Sequence, residues 1–242
     1  MLRNILILSS KEVSTNIVSI LHKHNPNLSF KVISSTDQLE RCKKPYLAKA
    51  RLISFLTAII VPKHILDALG YGAINFHPGP PIYPGWAASN FAVYEGAKSF
   101  RATAHYMNEK IDAGEIVGLD LFEVDKDIEV NQLIDKALEG LIRLLNKLAF
   151  KLTREEPLTP LPIPWGLRKT TKKMFADYCE LTKGMSKSEF LRRTKAFGGF
   201  STAKLHFKSG DQIFEVDASD SVQPNKAYQH LHGVRFVEVL AS

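Results

Sequence analysis

Asn75 and His77 stand two residues apart in AINFHPGPPIYPGWAASNFAVYEG, the segment from Ala73 to Gly96. On a β-strand that spacing puts an amide and an imidazole on one face, and Pro78, which lacks an N–H, stops the ladder just after them. A hydrogen-bond donor and a titratable ring would then emerge together at the carboxyl end of a strand, where open α/β sheets bind ligands. Further along, Asp112 lies in a turn before Gly114 in KIDAGEIV. A glycine there lets the chain bend and brings its backbone close to a ligand.

The elements that must hold these residues read as β then α. Ile5 to Leu8 suits a buried parallel strand, and Ile17 to Leu21 is amphipathic. Phe30 to Ile33 and the longer Leu52 to Val61 are further strand-type runs, and His64 to Leu69 returns to helical periodicity before Gly70 and Gly72. After the central segment, Trp86 to Tyr94 reads as a helix closed by Gly96, and Ala102 to Met107 as a strand. Asp127 is placed to cap a long amphipathic helix from Ile128 to Leu152. The alternation predicts an α/β, Rossmann-like, doubly wound and mostly parallel sheet. The first turn, SSKEVST, has no glycine and so offers neither a P-loop nor a dinucleotide fingerprint, which sets ATP and NAD aside.

Prolines at 157, 160, 162 and 164 rule out regular helix and favour an extended connector. The expected division is a catalytic core over 1–155 and an extension over 156–242, made of the connector, a basic helical stretch with Ser188 to Lys195 helical, and a β-hairpin over Leu205 to Val216 around Ser209, Gly210 and Asp211.

At 242 residues and 45% hydrophobic, the chain can bury one good core with an appended subdomain. No run approaches the ~20 apolar residues of a membrane span, and MLRNILILSSKEV turns polar too early for a signal peptide, so a cytoplasmic protein is expected. Cys42 and Cys179 fit no metal or disulfide spacing, and neither His22 with His24 nor His230 with His232 completes a ligand set, so no metal is expected. The net charge of +7 is uneven: Arg168 to Lys195 holds nine basic and three acidic residues, a net +6. That stretch would attract phosphate, or would simply be a solvated helix face.

The N-x-H-P of INFHPGPP, the proline- and glycine-bearing loop after it and the D-x-G of IDAGEIV resemble the formyltransferases that use 10-formyltetrahydrofolate. The likeness is good over Ile53 to Leu148 and loose over the first fifty residues. It places the family's catalytic asparagine, histidine and aspartate on Asn75, His77 and Asp112. It places the folate site on backbone around Ala58, Ile60 and Val61 and on the loop from Lys110 to Asp112. An amine attacking a formyl carbon develops an oxyanion, for which Asn75 and a protonated His77 would be donors. Asp112 would accept the amine proton, directly or through water, and would favour the imidazolium of His77. Tyr83 and Trp86 flank the pair, as candidates for stacking on a sugar or base and equally for ordinary packing. His105 has no evident partner.

Family members divide by acceptor. Those acting on glycinamide ribonucleotide carry a glycine-rich first turn, from which SSKEVST departs. Those acting on initiator methionyl-tRNA usually add a β-barrel, which needs about five strands, and one hairpin is evident here. The chain most resembles bacterial enzymes that formylate a nucleotide-linked amino sugar, such as a TDP- or GDP-4-amino-4,6-dideoxyhexose, for surface polysaccharide. The partner implied is that nucleotide sugar, with neither membrane nor nucleic acid expected and a homodimer contact possible at the hairpin. A methionyl-tRNA formyltransferase is the alternative, with a vestigial folate- or nucleotide-binding module the other.

Overall fold

A computed structural model describes residues 1–182, 184–198, 204–209 and 212–216. From the start, β1 (Asn4–Leu8), α1 (Lys11–His22), β2 (Ser29–Ile33), α2 (Thr36–Glu40), α3 (Lys44–Leu47), β3 (Ala50–Phe55), α4 (Lys63–Ala68) and β4 (Ala73–His77) follow in turn. Next come α5 (Ala88–Glu95), β5 (Ser99–Tyr106), β6 (Ile116–Glu123) and the long α6 (Val130–Leu152). The chain continues through α7 (Lys172–Cys179), β7 (Glu180–Leu181), α8 (Lys187–Phe197), β8 (His206–Ser209) and β9 (Gln212–Glu215).

Six strands form one sheet in the order β2-β1-β3-β4-β5-β6. The first four are parallel, whereas β5 and β6 are antiparallel to their neighbours. This is the mixed, mostly parallel α/β sheet expected from the alternating pattern. Side chains of successive strand residues point to opposite faces, and both faces are apolar. Ile5, Ile7, Ile53, Phe55, Ile74 and Phe76 pack with α1 and α6 through Ile17, Leu21, Leu141 and Leu145. Leu6, Leu8, Leu52 and Ala73 pack with α2 to α4 through Leu39, Leu47 and Ile65. Asn75 and His77 therefore lie on the same face of β4 as Ala73.

The chain clusters into two compact units. One holds Met1–Pro84, Ser99–Glu123 and Asp135–Arg168; the other holds Gly85–Lys98, Val124–Ile134 and the residues from 169 on. In the second unit α7 and α8 accompany a three-stranded sheet, β7-β8-β9, in which β8 and β9 are the antiparallel arms of the expected hairpin. Its turn residues Gly210 and Asp211, like His230 and His232, lie outside the described residues. Among the described residues no helix is long and apolar enough to cross a membrane.

Three boundaries differ from those the sequence suggests. The third strand stops at Phe55 rather than reaching Val61, because Leu56 takes a left-handed conformation (φ 51°) that breaks the ladder. The helix expected from Trp86 begins at Ala88, after Ala87 also adopts positive φ (59°), although Gly96 closes it as expected. Asp127 does not cap α6, which starts at Val130; the Glu129 N–H instead donates to the side chain of Gln132, the returning half of a capping box.

Arg51 is almost wholly buried and terminates α6 from the side. Its Nη1 donates to the carbonyls of Lys151, Leu152 and Arg154, its Nη2 to that of Glu156, and its Nε to that of Tyr71. A helix end leaves four carbonyls without intrahelical partners, and a cation there is also favoured by the helix dipole.

Candidate functional site

β4 delivers Asn75 and His77 at its carboxyl end, and Thr103 fixes the loop that follows by donating from Oγ1 to the Gly79 carbonyl at 2.7 Å. β5 runs antiparallel to β4, with His105 directly opposite Asn75. A register shift between Ala104 and His105, where β5 meets β6, marks a bulge beside the site. Asp112 is brought back by a turn in which its own φ is 46°. Gly114 makes that turn possible: a Cβ there would lie 1.8 Å from the Tyr106 carbonyl oxygen. The glycine was expected to bring backbone close to a ligand; its demonstrated service is a close approach to β5.

Asn75, His77, His105 and Asp112 form one cluster. His77 Nδ1 is 3.5 Å from Asp112 Oδ2, and His105 Nε2 is 3.3 Å from Oδ1. The Asn75 amide nitrogen lies 3.1 Å from His105 Nε2 and 3.5 Å from Asp112 Oδ1. His105 Nδ1 sits 2.7 Å from the Tyr106 carbonyl, which accepts but cannot donate. In neutral His105 the proton therefore sits on Nδ1, and Nε2 is left to accept from Asn75. The sequence shows no partner for His105; its partners belong to β4 and the turn, reachable only through strand pairing.

Burial pulls the His77 pKa below its ordinary 6.5, with Asp112 opposing that shift, His105 adding to it and the Tyr83 carbonyl opposing it. Desolvation thus opposes the imidazolium that the resemblance implies, and the Asp112 carboxylate favours it. Both ring nitrogens nevertheless face acceptors, Asp112 Oδ2 at Nδ1 and the Tyr83 carbonyl at Nε2 at 3.2 Å. A neutral ring can satisfy one of them, and a ring that gains a proton can satisfy both. The geometry is that of a proton acceptor waiting for its proton.

Other residues singled out from the sequence fall in varied places. Tyr83 is buried and contributes its backbone carbonyl. Trp86 belongs to the second unit, edge-on to Phe175 at 5.1 Å, with Lys172 Nζ 6.0 Å from its ring. Ala58, Ile60 and Val61 follow the end of β3; Ala58 and Ile60 are exposed, while Val61 is in the core. Lys110 is exposed on the loop before Asp112, and an ion pair between Lys63 and Glu109 links that loop to the start of α4. In the basic stretch, Lys173 pairs with Asp177, and Arg192 and Arg193 pair with Glu189. Arg193 also donates to the carbonyls of Asp177, Tyr178 and Glu180 at the end of α7. Lys173 and Arg192 make solvated pairs, whereas Arg193 is largely covered and ends α7.

Trp165, inside the proline connector, was not singled out from the sequence. Its indole lies edge-on to His105 at 4.9 Å and to His77 at 5.9 Å. The connector is tied down along its length: the Tyr106 hydroxyl bonds both the N–H and the carbonyl of Leu158, Leu161 donates to Ile116, and Gly166 donates to Pro81.

An amide, two imidazoles and a carboxylate gathered at the carboxyl edge of an α/β sheet bring a hydrogen-bond donor and proton-accepting groups to one place. Residues 6–145 match the formyl transferase family, and the chain belongs to it. The same fold occurs in a 4-N formyltransferase from Francisella tularensis (TM-score 0.70, 18% identity, 88% of this chain and 96% of that one). It also occurs in a sugar N-formyltransferase from Shewanella sp (TM-score 0.72, 17% identity, 89% of this chain and 96% of that one). HypX from Aquifex aeolicus, whose structure was solved in complex with tetrahydrofolic acid, shares the fold over 88% of this chain and 37% of that one (TM-score 0.62, 18% identity). In sequence, a methionyl-tRNA formyltransferase from Bacillus cereus is 38% identical over 89 residues, which span 36% of this chain and 28% of that protein.

Proposed function

We propose that this protein transfers the formyl group of 10-formyltetrahydrofolate to the primary amine of a nucleotide-linked amino sugar, such as a TDP- or GDP-4-amino-4,6-dideoxyhexose, for surface polysaccharide. The observation that carries the reading is the clustering of Asn75, His77 and Asp112 in a member of the formyl transferase family. The amine nitrogen attacks the formyl carbon and forms the new C–N bond. The Asn75 amide turns the N–H that faces Asp112 at 3.5 Å toward the developing oxyanion, keeping its other N–H on His105. The amine proton passes to the His77–Asp112 pair, whose charge then matches the acceptors around it. The bond between the formyl carbon and N10 of the folate breaks, N10 takes up a proton, and a formamide and tetrahydrofolate leave.

The folate fits the loops that the resemblance assigns to it. Past β3, Ala58 and Ile60 offer backbone outside any ladder, and Ile60 and Ile111 present exposed apolar side chains at 58% and 50% accessibility. A flat heteroaromatic ring with amide-like edges needs such backbone groups and such surface. Ala58, Ile60, Val61 and the loop from Lys110 to Asp112 would hold it. The reading makes the protein a cytoplasmic enzyme that needs no metal, with Tyr83 and Trp86, which follow the Asn75–His77 pair closely in sequence, as candidates for stacking on the acceptor.

The partial sequence match to methionyl-tRNA formyltransferases supports a second reading, in which initiator methionyl-tRNA is the acceptor. Purified protein given 10-formyltetrahydrofolate, a panel of TDP-, GDP- and UDP-linked amino sugars and charged initiator tRNA decides between them by mass spectrometry. One added formyl group on a single nucleotide sugar is expected. Formylation of the tRNA alone would overturn the sugar reading in favour of the second; no product on any acceptor would overturn both acceptors, with folate still binding meaning another acceptor and no folate binding meaning a vestigial module.

A further inference from the structure

We propose that Trp165 is a positioning residue of the candidate site, whose N–H fixes the turn carrying Asp112 while its ring shuts water away from the two imidazoles. The proposal rests on the formyl-transfer reading for its kinetic part and on geometry alone for the rest. The indole Nε1 donates to the Gly114 carbonyl at 2.7 Å, two residues past Asp112. The same turn is held from within by the Lys110 N–H donating to Asn108 Oδ1 and from β5 by the Tyr106 N–H donating to the Glu115 carbonyl. Asp112 sits there at a positive φ that costs a non-glycine residue energy, and the bond to the Gly114 carbonyl is the connector's own contribution to where its carboxylate sits.

The ring does a different job from the N–H. It stands at 88° to His105 and 69° to His77. Trp165 is half-buried, whereas His77 and His105 are only 5% and 2% accessible, so it is the outermost ring of the three. The groups that face His77 are Asp112 from the turn, His105 from β5 and the Tyr83 carbonyl from the loop after β4, and Trp165 adds an uncharged wall. Removing that wall admits water and relieves the desolvation that keeps the His77 ring neutral. The connector PLTPLPIPWG is thereby more than a spacer: its prolines hold an extended course, and its pinned carbonyls and N–H groups deliver the tryptophan to one place.

Two substitutions in the full chain separate the two jobs. W165F keeps a ring and removes the N–H; W165A removes both. The His77 titration is followed by imidazole NMR, the turn by amide exchange at residues 113–115, and formyl transfer by kcat and KM. In W165F the turn should exchange faster and kcat should fall about fivefold, the size of one neutral hydrogen bond, with KM for the folate donor little changed. In W165A the His77 midpoint should rise by about half a pH unit or more, toward that of an exposed histidine. If W165F leaves exchange and kcat at wild-type values, the anchoring claim is overturned. If folded W165A leaves the His77 midpoint unmoved, the sealing claim is overturned, and should W165A fail to fold, the same titration in W165L, which keeps apolar bulk without the ring, decides it. The NMR and exchange readouts need no substrate, so they stand even if the formyl-transfer reading fails.

Discussion

Burial and charge pull on His77 in opposite directions, and burial is the stronger. This has a consequence for stability that can be given a sign. The folded pKa is lowered from 6.5, so below about pH 6.5 the unfolded chain takes up a proton that the folded chain refuses, and stability falls as pH drops toward the folded pKa. Above about pH 7 the ring is neutral in both states and contributes no slope. Denaturant unfolding across that range should show an acid-side decline that is shallower in His77→Asn than in wild type. An equal decline in the two proteins would show that His77 is not the buried group responsible. At the same scale, the pairing of Asn75 with His77 was legible from their spacing alone, because a strand has a period of two. His105 was not, because its relation to Asn75 depends on β5 lying antiparallel to β4 in one register, and single-strand patterns do not encode register.

Two helices end against arginines, α6 at Arg51 and α7 at Arg193. Arg51 is the more consequential, since its guanidinium is almost fully buried and serves five carbonyls from residues 71 and 151–156. Those contacts set where α6 stops and how the connector leaves it. Arg51→Met removes the donors but keeps an apolar stem of similar reach, and each buried carbonyl left without a partner costs about 1–3 kcal/mol. A loss of about 3 kcal/mol or more in chemical unfolding is expected, and a loss under ~0.5 kcal/mol would mean that water replaces the guanidinium. From the sequence, Arg51 looks like an interruption at the head of an apolar strand, since four of its five partners lie a hundred residues or more away. The longer strands and helices up to α6 were mostly readable from periodicity, but the short α2, α3 and β7 and the edge strand β6 were not, and ends governed by backbone conformation, such as Leu56 and Ala87 at positive φ, carry no side-chain signal.

At the scale of the whole molecule, one doubly covered sheet supplies the edge on which the cluster sits. Its fold class followed from alternating strand and helix patterns. Its division into two units that exchange segments along the chain did not, because Gly85–Lys98 and Val124–Ile134 interrupt the core sequence without any change of composition. On the proposed reading the folded chain binds folate, and such binding stabilises it by mass action. A stable folate analogue at a hundred times its dissociation constant should add about 2.7 kcal/mol, read as a rise in the thermal midpoint, and no shift at saturation would argue against the folate loops at Ala58 to Val61 and Lys110 to Asp112.

The central claim is that the Asn75, His77 and Asp112 cluster carries out formyl transfer, and it is tested most directly by following an isotopically labelled formyl group from the folate donor to the acceptor amine in wild type and in Asp112→Asn. The substitution keeps the shape of the side chain and removes the charge that receives the proton. The account predicts labelled acceptor with wild type and transfer slower by about 10²–10⁴-fold with the variant, while analogue binding and the thermal midpoint stay close to wild type. Equal transfer rates in the two proteins would contradict it.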